Sequence, residues 1–383
     1  MLQELVRSSN NKKMKWAIIF PDNYLGYSPS CINFVKLLEK YGQDYLVFHL
    51  DDGSYDNSKL TIKNCLIDEN IFFTKPLNFP IIFLKIFKRF NNEKLYKILL
   101  IYFYVKKCHK KEHFDKFVGF DDCGYFSAYL INKNAYYYSL EISKSIYNRF
   151  IFFFLNVKLL IIQSEERKNY LSLKNINTIY IQNSPVSSLE KIKNNIYQSR
   201  LIYFGTIYRE HGVEYCINCL YTLTEETLMI KGVGQENNLY INYLQQKYND
   251  LIINQRLFFD FSYIDQDDVI MYLQNYDIGF CFYDYKIINK NNFNYISSPS
   301  GKMFNYFAAG LPVIGSDSIG LAPVKKSNAG VLLNNLNIDE IKNAINIIKT
   351  KYSVFQKNAN NASIEYDYAN MFEKNKEKIL CSL

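Results

Sequence analysis

The run PSGKMFNYFAAGLPVIGSD over Pro299–Asp317 holds the residues best suited to chemistry in this chain. Proline, serine and glycine form a turn that opens a short helix, Gly310 ends it, and the apolar residues from Leu311 return as a buried strand. Lys302 then stands in the first helical turn, where free backbone N–H groups and the positive end of the helix dipole attract an anion. A lysine is electrostatically disfavoured there unless an anion is bound, so a phosphate ligand is preferred over a solvated first-turn lysine. Ser300 and Gly301 add N–H groups and little bulk, which permits close approach. Asn305 shares the helix face of Lys302 and could hydrogen-bond a ribose hydroxyl. Together these residues make the pattern expected of a nucleoside-diphosphate site.

A second group lies after the strand Leu201–Gly205. Gly205 lets a ligand approach the backbone, and Thr206, Arg209 and His211 follow in one polar loop. The guanidinium of Arg209 offers a fork of donors to the same diphosphate, unless it and Glu210 simply mark a solvated loop. His211 can donate a hydrogen bond or, when charged, assist a leaving group. Asp284, two residues after Phe282, and Tyr263 are further candidates in the second half. In the first half, Asp121 and Glu141 are the acids suited to orient a substrate hydroxyl or take its proton, although Asp121, beside Asp122, could only cap a helix. With Lys302 and Arg209 to stabilise charge growing on a departing diphosphate, these acids complete the candidate catalytic set.

The elements that must position these groups alternate strand and helix, the grammar of parallel sheets. In the first half, strands are expected at Trp16–Phe20, Tyr45–Leu50, Lys116–Phe120, Ala135–Leu140, Lys158–Gln163 and Thr178–Gln182. Helices are expected at about Cys31–Tyr41, Asp122–Ile131, Ser143–Asn156 and Glu165–Lys174. The pattern restarts after the polar segment Ser187–Arg200, with strands at Leu201–Gly205, Thr227–Gly232, Leu257–Phe261, Asp277–Phe282 and Val313–Ser316. Helices fall between them, one of them Asp267–Asn275 with Asp265 as cap and Asp268 completing a capping box. The 383 residues, 48% of them hydrophobic, suffice for two such domains with a ligand cleft between them.

Composition narrows the partners. The 34 tyrosines and 29 phenylalanines are too many for any single one to stand out. Of eight cysteines, Cys216 and Cys219 form a lone C-x-x-C without a second pair, which favours packing over zinc or redox chemistry. His109 and His113 have an i,i+4 spacing but no third ligand, and no D-x-D falls at a suitable turn, so no metal site is expected. The net charge of +8 points to an anionic partner. Lysines and aromatics alternate over 81–116, which reads either as a surface over 85–111 that meets an anionic membrane or as ordinary core helices with solvated lysines. No nucleic-acid module is present, so no nucleic-acid partner is expected. The polar, basic Met1–Met14 contains no recognisable signal peptide. A cytoplasmic protein, peripheral to the inner face of the membrane, is the expectation.

With these motifs in order, the chain resembles the nucleotide-sugar glycosyltransferases of the two-Rossmann-domain type, the GT-B fold, and among them the large group of bacterial polysaccharide and lipopolysaccharide enzymes. Pro299–Asp317 is similar to that family's run of proline, lysine, hydrophobic pair, acid, tyrosine, Ala-Ala-Gly and Pro-Val-Ile. Ile161–Ser164, Ile181–Asn183, Tyr203–Gly205 with Gly212 and Val213, and Val269–Phe282 add to the likeness, and Glu141 stands where the family often has a His-Glu pair. The resemblance implies a metal-independent, retaining transferase using a UDP or GDP sugar and a saccharide or lipid-linked acceptor in capsule or glycolipid synthesis. It implies domains over 1–186 and 187–359, with a C-terminal helix at 360–383 crossing back to the first. The sequence departs from the family at Ser297 and Asn305, where two glutamates are usual, and at Thr206 and His211, where arginine and lysine are usual. Leu140 replaces the histidine before Glu141, and Gly320–Val324 lacks an acid. A sugar-nucleotide binder or scaffold without turnover, and a nucleotide-sugar epimerase, stay open beside the transferase.

Overall fold

The central strands of this chain are runs of apolar and aromatic residues without polar alternation, as sheets covered on both faces require. The computed structural model describes residues 13–50, 60–67, 93–142, 155–172, 175–186, 196–232, 239–288 and 292–381. Most of the helix expected over 143–156 and the 81–92 part of the basic segment lie outside them. The chain divides into two compact units, Met1–Gln182 with Phe372–Leu383, and Asn183–Met371.

In the first unit seven strands run parallel: β1 (Lys15–Phe20), β2 (Asp44–Leu50), β3 (Asn64–Ile67), β4 (Lys116–Phe120), β5 (Tyr136–Ser139), β6 (Leu159–Ile162) and β7 (Thr178–Tyr180). Their order is β3-β2-β1-β4-β5-β6-β7, and Trp16 pairs with Tyr45 on one side and Lys116 on the other. The helix Glu93–Glu112 buries Tyr96, Leu100, Ile101 and Val105 against Ala17, Ile19, Phe117 and Leu160. The helix Asp121–Ile131 follows β4 without a loop. It lies so close that a Cβ on Gly119 would fall 2.3 Å from backbone atoms of Gly124 and Tyr125. Phe372 is fully buried here, edge-on to Phe34 and stacked on Tyr41. Lys116 closes the end of the helix Tyr368–Leu380, to which Phe372 belongs, donating to the carbonyls of Ile379 (3.2 Å) and Cys381 (2.9 Å).

The second unit repeats the plan with six parallel strands: β8 (Arg200–Phe204), β9 (Thr227–Lys231), β10 (Leu257–Asp260), β11 (Ile278–Cys281), β12 (Val313–Ser316) and β13 (Gly330–Leu333). Their order is β10-β9-β8-β11-β12-β13. In each sheet the order reverses beside the first strand, between β1 and β4 and between β8 and β11. The carboxyl ends of strands at such a reversal border the crevice where doubly wound sheets bind ligands. Residues 360–371 stay in this unit: Ala362 and Tyr366 join Phe304 and Phe307 in its core. The helix expected from Asp267 runs only over Val269–Leu273. Asp268 is its N-cap without a side-chain bond, and Asp265 contributes its backbone carbonyl to Asp268 N rather than a carboxylate cap.

Candidate functional site

The helix Gly301–Ala308 is fixed by its buried face. Tyr306 lies flat on β11, where a Cβ at Gly279 would come within 2.5 Å of the ring. Its hydroxyl donates to Phe280 O (3.1 Å) and accepts from Phe204 N (2.9 Å), tying the helix to both strands that flank the reversal. Gly310, in the left-handed region at φ 76°, ends the helix as the sequence predicts. No side chain caps the amino end, because Ser300 Oγ accepts instead from Cys281 Sγ. The front of Gly301 is open: a Cβ there would meet only Asn183, no closer than 3.6 Å.

Lys302 lies across the end of β8. Gly205 has φ 137°, and a Cβ on it would stand 2.9 Å from Lys302 Cδ, so the glycine makes room for the lysine stem. The ammonium donates to the Tyr203 hydroxyl at 3.2 Å and sits over the rings of Tyr203 (4.7 Å) and Tyr283 (5.7 Å). Burial holds its pKa below the usual lysine value. No carboxylate among the described residues pairs with it. Lys231, a buried lysine on β9, shows the contrast, with Asp260 2.8 Å away. The Lys302 ammonium thus has aromatic neighbours and, among the described residues, no counter-ion.

His211 joins the same cluster. Its Nδ1 lies 2.9 Å from Thr206 O, a carbonyl that can only accept, so the proton sits on Nδ1. The Tyr203 hydroxyl donates to that carbonyl too (2.5 Å) and lies 3.3 Å from His211 Nδ1. Burial, then the charge of Lys302, pull the imidazole down to about 4, against the bond to Thr206. Lys302, Gly205, Thr206 and His211 are therefore brought together, with Ser300 and Gly301 at the neighbouring helix end. Asn305 is half-buried one turn on, its side-chain amide unpartnered among the described residues.

Other candidates stand apart from this cluster. Arg209 rests its guanidinium on the rings of Tyr240 (4.9 Å) and Tyr243 (5.3 Å). Asp284 is at the right edge, but its carboxylate accepts from Lys286 N (2.9 Å) within its own turn and from Tyr215. Tyr263 follows the edge strand β10 and is 60% exposed. Ser297 is buried, with its hydroxyl donating to Phe293 O at 2.6 Å. Cys216 and Cys219 are buried and donate to helix carbonyls. His109 Nδ1 accepts from Phe114 N. Among the described residues no group of three His, Cys, Asp or Glu could hold a metal ion, and no helix is long and apolar enough to cross a membrane.

In the first unit the acids gather at the equivalent edge. Asp121 turns from β4 into its helix at φ 49°, a left-handed conformation that costs a non-glycine residue of the order of 1 kcal/mol or more. Only 8% exposed, its Oδ1 accepts from the backbone N–H of Leu140 (2.7 Å) and Glu141 (2.8 Å). Burial raises its pKa to about 8; the nearby charges of Glu141 and Asp22 act in the same direction and the two N–H bonds oppose it. Glu141 itself is exposed. Arg167, completely buried, donates to Leu140 O at 2.6 Å and so braces the turn that holds Asp121. After β1, Asp22 pairs with Lys97 at 2.5 Å and accepts from the Tyr24 hydroxyl at 3.3 Å.

Sequence reasoning passed over Tyr203, Tyr283 and Tyr306 because tyrosine is everywhere in this chain. It passed over Arg167 because it stands in the polar run Glu165–Lys168, and only the fold shows it to be internal.

No family model and no curated protein sequence matches the chain. Solved structures do. Sucrose-phosphate synthase from Thermosynechococcus elongatus superposes with a TM-score of 0.67 at 14% identity, over 96% of this chain and 98% of that one. Anabaena HepE in complex with UDP-glucose gives 0.66 at 14% identity, over 96% and 99%. An S. aureus TarM variant in complex with fondaparinux, alpha-GlcNAc-glycerol and UDP gives 0.66 at 12% identity, over 96% and 100%. The chain has the GT-B fold. Both sheets of this GT-B chain are thus Rossmann-like, and the Lys302 cluster sits at the carboxyl edge of the second.

Proposed function

We propose that this GT-B protein is a glycosyltransferase that moves a sugar from a nucleoside-diphosphate donor to a saccharide or lipid-linked saccharide in the assembly of surface polysaccharide or glycolipid. The observation that carries the reading is Lys302, a half-buried ammonium laid over Gly205 with no carboxylate among the described residues to neutralise it. The second unit would hold the diphosphate between Lys302, the uncapped N–H groups at Ser300 and Gly301, and the loop Gly205–His211. Asn305 would meet the ribose, and Arg209 would leave its tyrosines for the phosphates. HepE and TarM, known with UDP ligands, make a UDP or GDP sugar the first donor to test.

The departing diphosphate gains negative charge as the anomeric bond breaks, and the fixed ammonium lowers that barrier without needing a metal ion. In the first unit, Asp121 is the group to take the acceptor's proton, and the exposed Glu141 the one to orient the acceptor. The raised pKa of Asp121 supports that role, since it brings proton exchange near neutrality, and its strained backbone marks a position held at a local cost. Among the described residues of the basic segment, Lys106, Lys107, Lys110 and Lys111 near the end of helix Glu93–Glu112 would meet an anionic membrane, because Lys94 and Lys97 are paired with Asp122 and Asp22.

The test is a panel of UDP and GDP sugars with lipid-linked and free saccharides, read as acceptor-dependent release of the nucleoside diphosphate. Release with no acceptor points to an epimerase or hydrolase. Tight binding with no release on any acceptor would favour the binding-only reading, to which the serine and asparagine at 297 and 305 lend support.

A further inference from the structure

His211 and Lys302 are two basic groups sharing one buried hydroxyl, that of Tyr203, yet they present themselves to a ligand differently. Lys302 offers N–H donors at any pH near neutral. His211 commits its Nδ1 proton to Thr206 O, so Nε2, on the far side of the ring, carries a lone pair in the neutral imidazole. No described residue bonds Nε2. A phosphate oxygen is also an acceptor, and two lone pairs facing each other repel. The ring can contribute to an anion site only after Nε2 gains a proton, and the Thr206 bond is compatible with that because Nδ1 keeps its own.

We propose that His211 is a proton-loading ligand of the diphosphate, charged only when the anion is bound, so that each diphosphate binds together with one proton. This rests on the diphosphate reading of the Lys302 cluster and adds to it a pH-dependent affinity.

The surroundings of His211 favour that behaviour. From β8 it meets Tyr203, from its own loop Tyr208 and Thr206, from the turn after β11 Tyr283, and from the helix Gly301–Ala308 the ammonium of Lys302. Of the acids on adjoining elements, Asp284 is bonded to Tyr215 and Lys286 N and Glu214 is paired with Lys247 at 2.7 Å, while Glu210, in the same loop, has no described bond to the ring. Among the described residues no carboxylate bonds or pairs with the ring, and the adjacent ammonium discourages its charge. A bound diphosphate would reverse both conditions, adding about two negative charges beside the same ring.

The experiment is calorimetric titration of the full chain with UDP and GDP at pH 7.5, in buffers of different ionisation enthalpy, which reads the protons taken up per nucleotide bound. The wild-type protein should take up nearly one proton more than His211→Asn, whose amide keeps a donor towards Thr206 O but cannot titrate. Between pH 6.5 and 8 the wild-type affinity should fall relative to that variant by close to tenfold per pH unit. His211→Lys, charged throughout, should bind with the variant's proton count and at least the wild type's affinity. Binding with equal proton uptake in wild type and His211→Asn would overturn the proposal and leave the diphosphate site intact. Failure of the folded wild-type protein to bind either nucleotide overturns the diphosphate site and this proposal together.

Discussion

Replacing Lys302 by methionine separates a ligand-binding lysine from a packing lysine, because the two roles predict opposite signs in two measurements. The stem fills the space over Gly205, and methionine retains that volume. The ammonium has a hydroxyl and two ring faces for company and no carboxylate, so in the unliganded protein it is a desolvated charge with incomplete compensation. Removing it should leave unfolding free energy unchanged or raise it by up to about 2 kcal/mol. The bound state should lose a charge-assisted hydrogen bond of about 1.5–3 kcal/mol, which is roughly a tenfold to hundredfold weaker Kd. Thermal unfolding with and without UDP or GDP reads both quantities. At a concentration one hundred times the wild-type Kd, the nucleotide adds about 2.7 kcal/mol to the wild-type protein, and about 1.4 kcal/mol to a variant that binds tenfold more weakly. A variant that is less stable when empty and equally stabilised by nucleotide would refute the reasoning, and Lys302 would then be a packing residue.

Asp121→Asn keeps the acceptor for the Leu140 and Glu141 N–H groups and abolishes titration. Because the folded-state pKa of Asp121 is raised to about 8, its stabilising contribution is complete below about pH 4 and is lost as pH rises through 8. Urea unfolding should show the variant gaining on the wild type by up to about 1.4 kcal/mol per pH unit across that window, and a constant difference would mean that Asp121 titrates normally. Changing Lys107, Lys110 and Lys111 to glutamate should abolish sedimentation with vesicles rich in phosphatidylserine in low salt, while neutral vesicles bind neither protein. Equal binding to both vesicle types would remove the electrostatic surface.

The sequence carried the frame further than the details. Buried parallel strands such as β1 and β6 announce themselves as unbroken apolar runs, and Gly310 marks a helix end because only that residue type accepts its backbone angle cheaply. The strand β3, Asn64–Ile67, was not expected from its residues, being a four-residue edge strand with alternate positions exposed; β13, Gly330–Leu333, opens on a glycine. Within the candidate site, Lys302 was legible because a lysine in an N-terminal turn contradicts the helix dipole. The conflict points to a ligand. Asp284 shows the limit of that logic: its position at a strand end is right, and only the fold reveals that Tyr215 and a local turn already occupy it. The tautomer of His211 was not legible, since it depends on a carbonyl five residues away whose direction is set by Gly205 and the Tyr203 hydroxyl.

The same topological position carries opposite chemistry in the two sheets, and the division has a physical reason. A departing diphosphate needs positive charge that is not already neutralised, whereas an acceptor hydroxyl needs a carboxyl basic enough to draw its proton. Placed side by side on one sheet, a lysine and an aspartate pair, as Lys231 and Asp260 do, and Asp260 falls to about 2. Such a carboxylate is a poor base, and its lysine has little left to offer a phosphate. Beside the β8/β11 reversal, Lys302 and His211 meet hydroxyls and rings and, among the described residues, no carboxylate, which on the proposed reading leaves both groups available to an anion. Beside the β1/β4 reversal, Asp121 is buried among like charges that together outweigh its two N–H bonds, so the carboxyl keeps its raised pKa, and among the described bonds Arg167 donates to Leu140 O rather than to it. Each sheet preserves a perturbed group that the other's chemistry would have quenched.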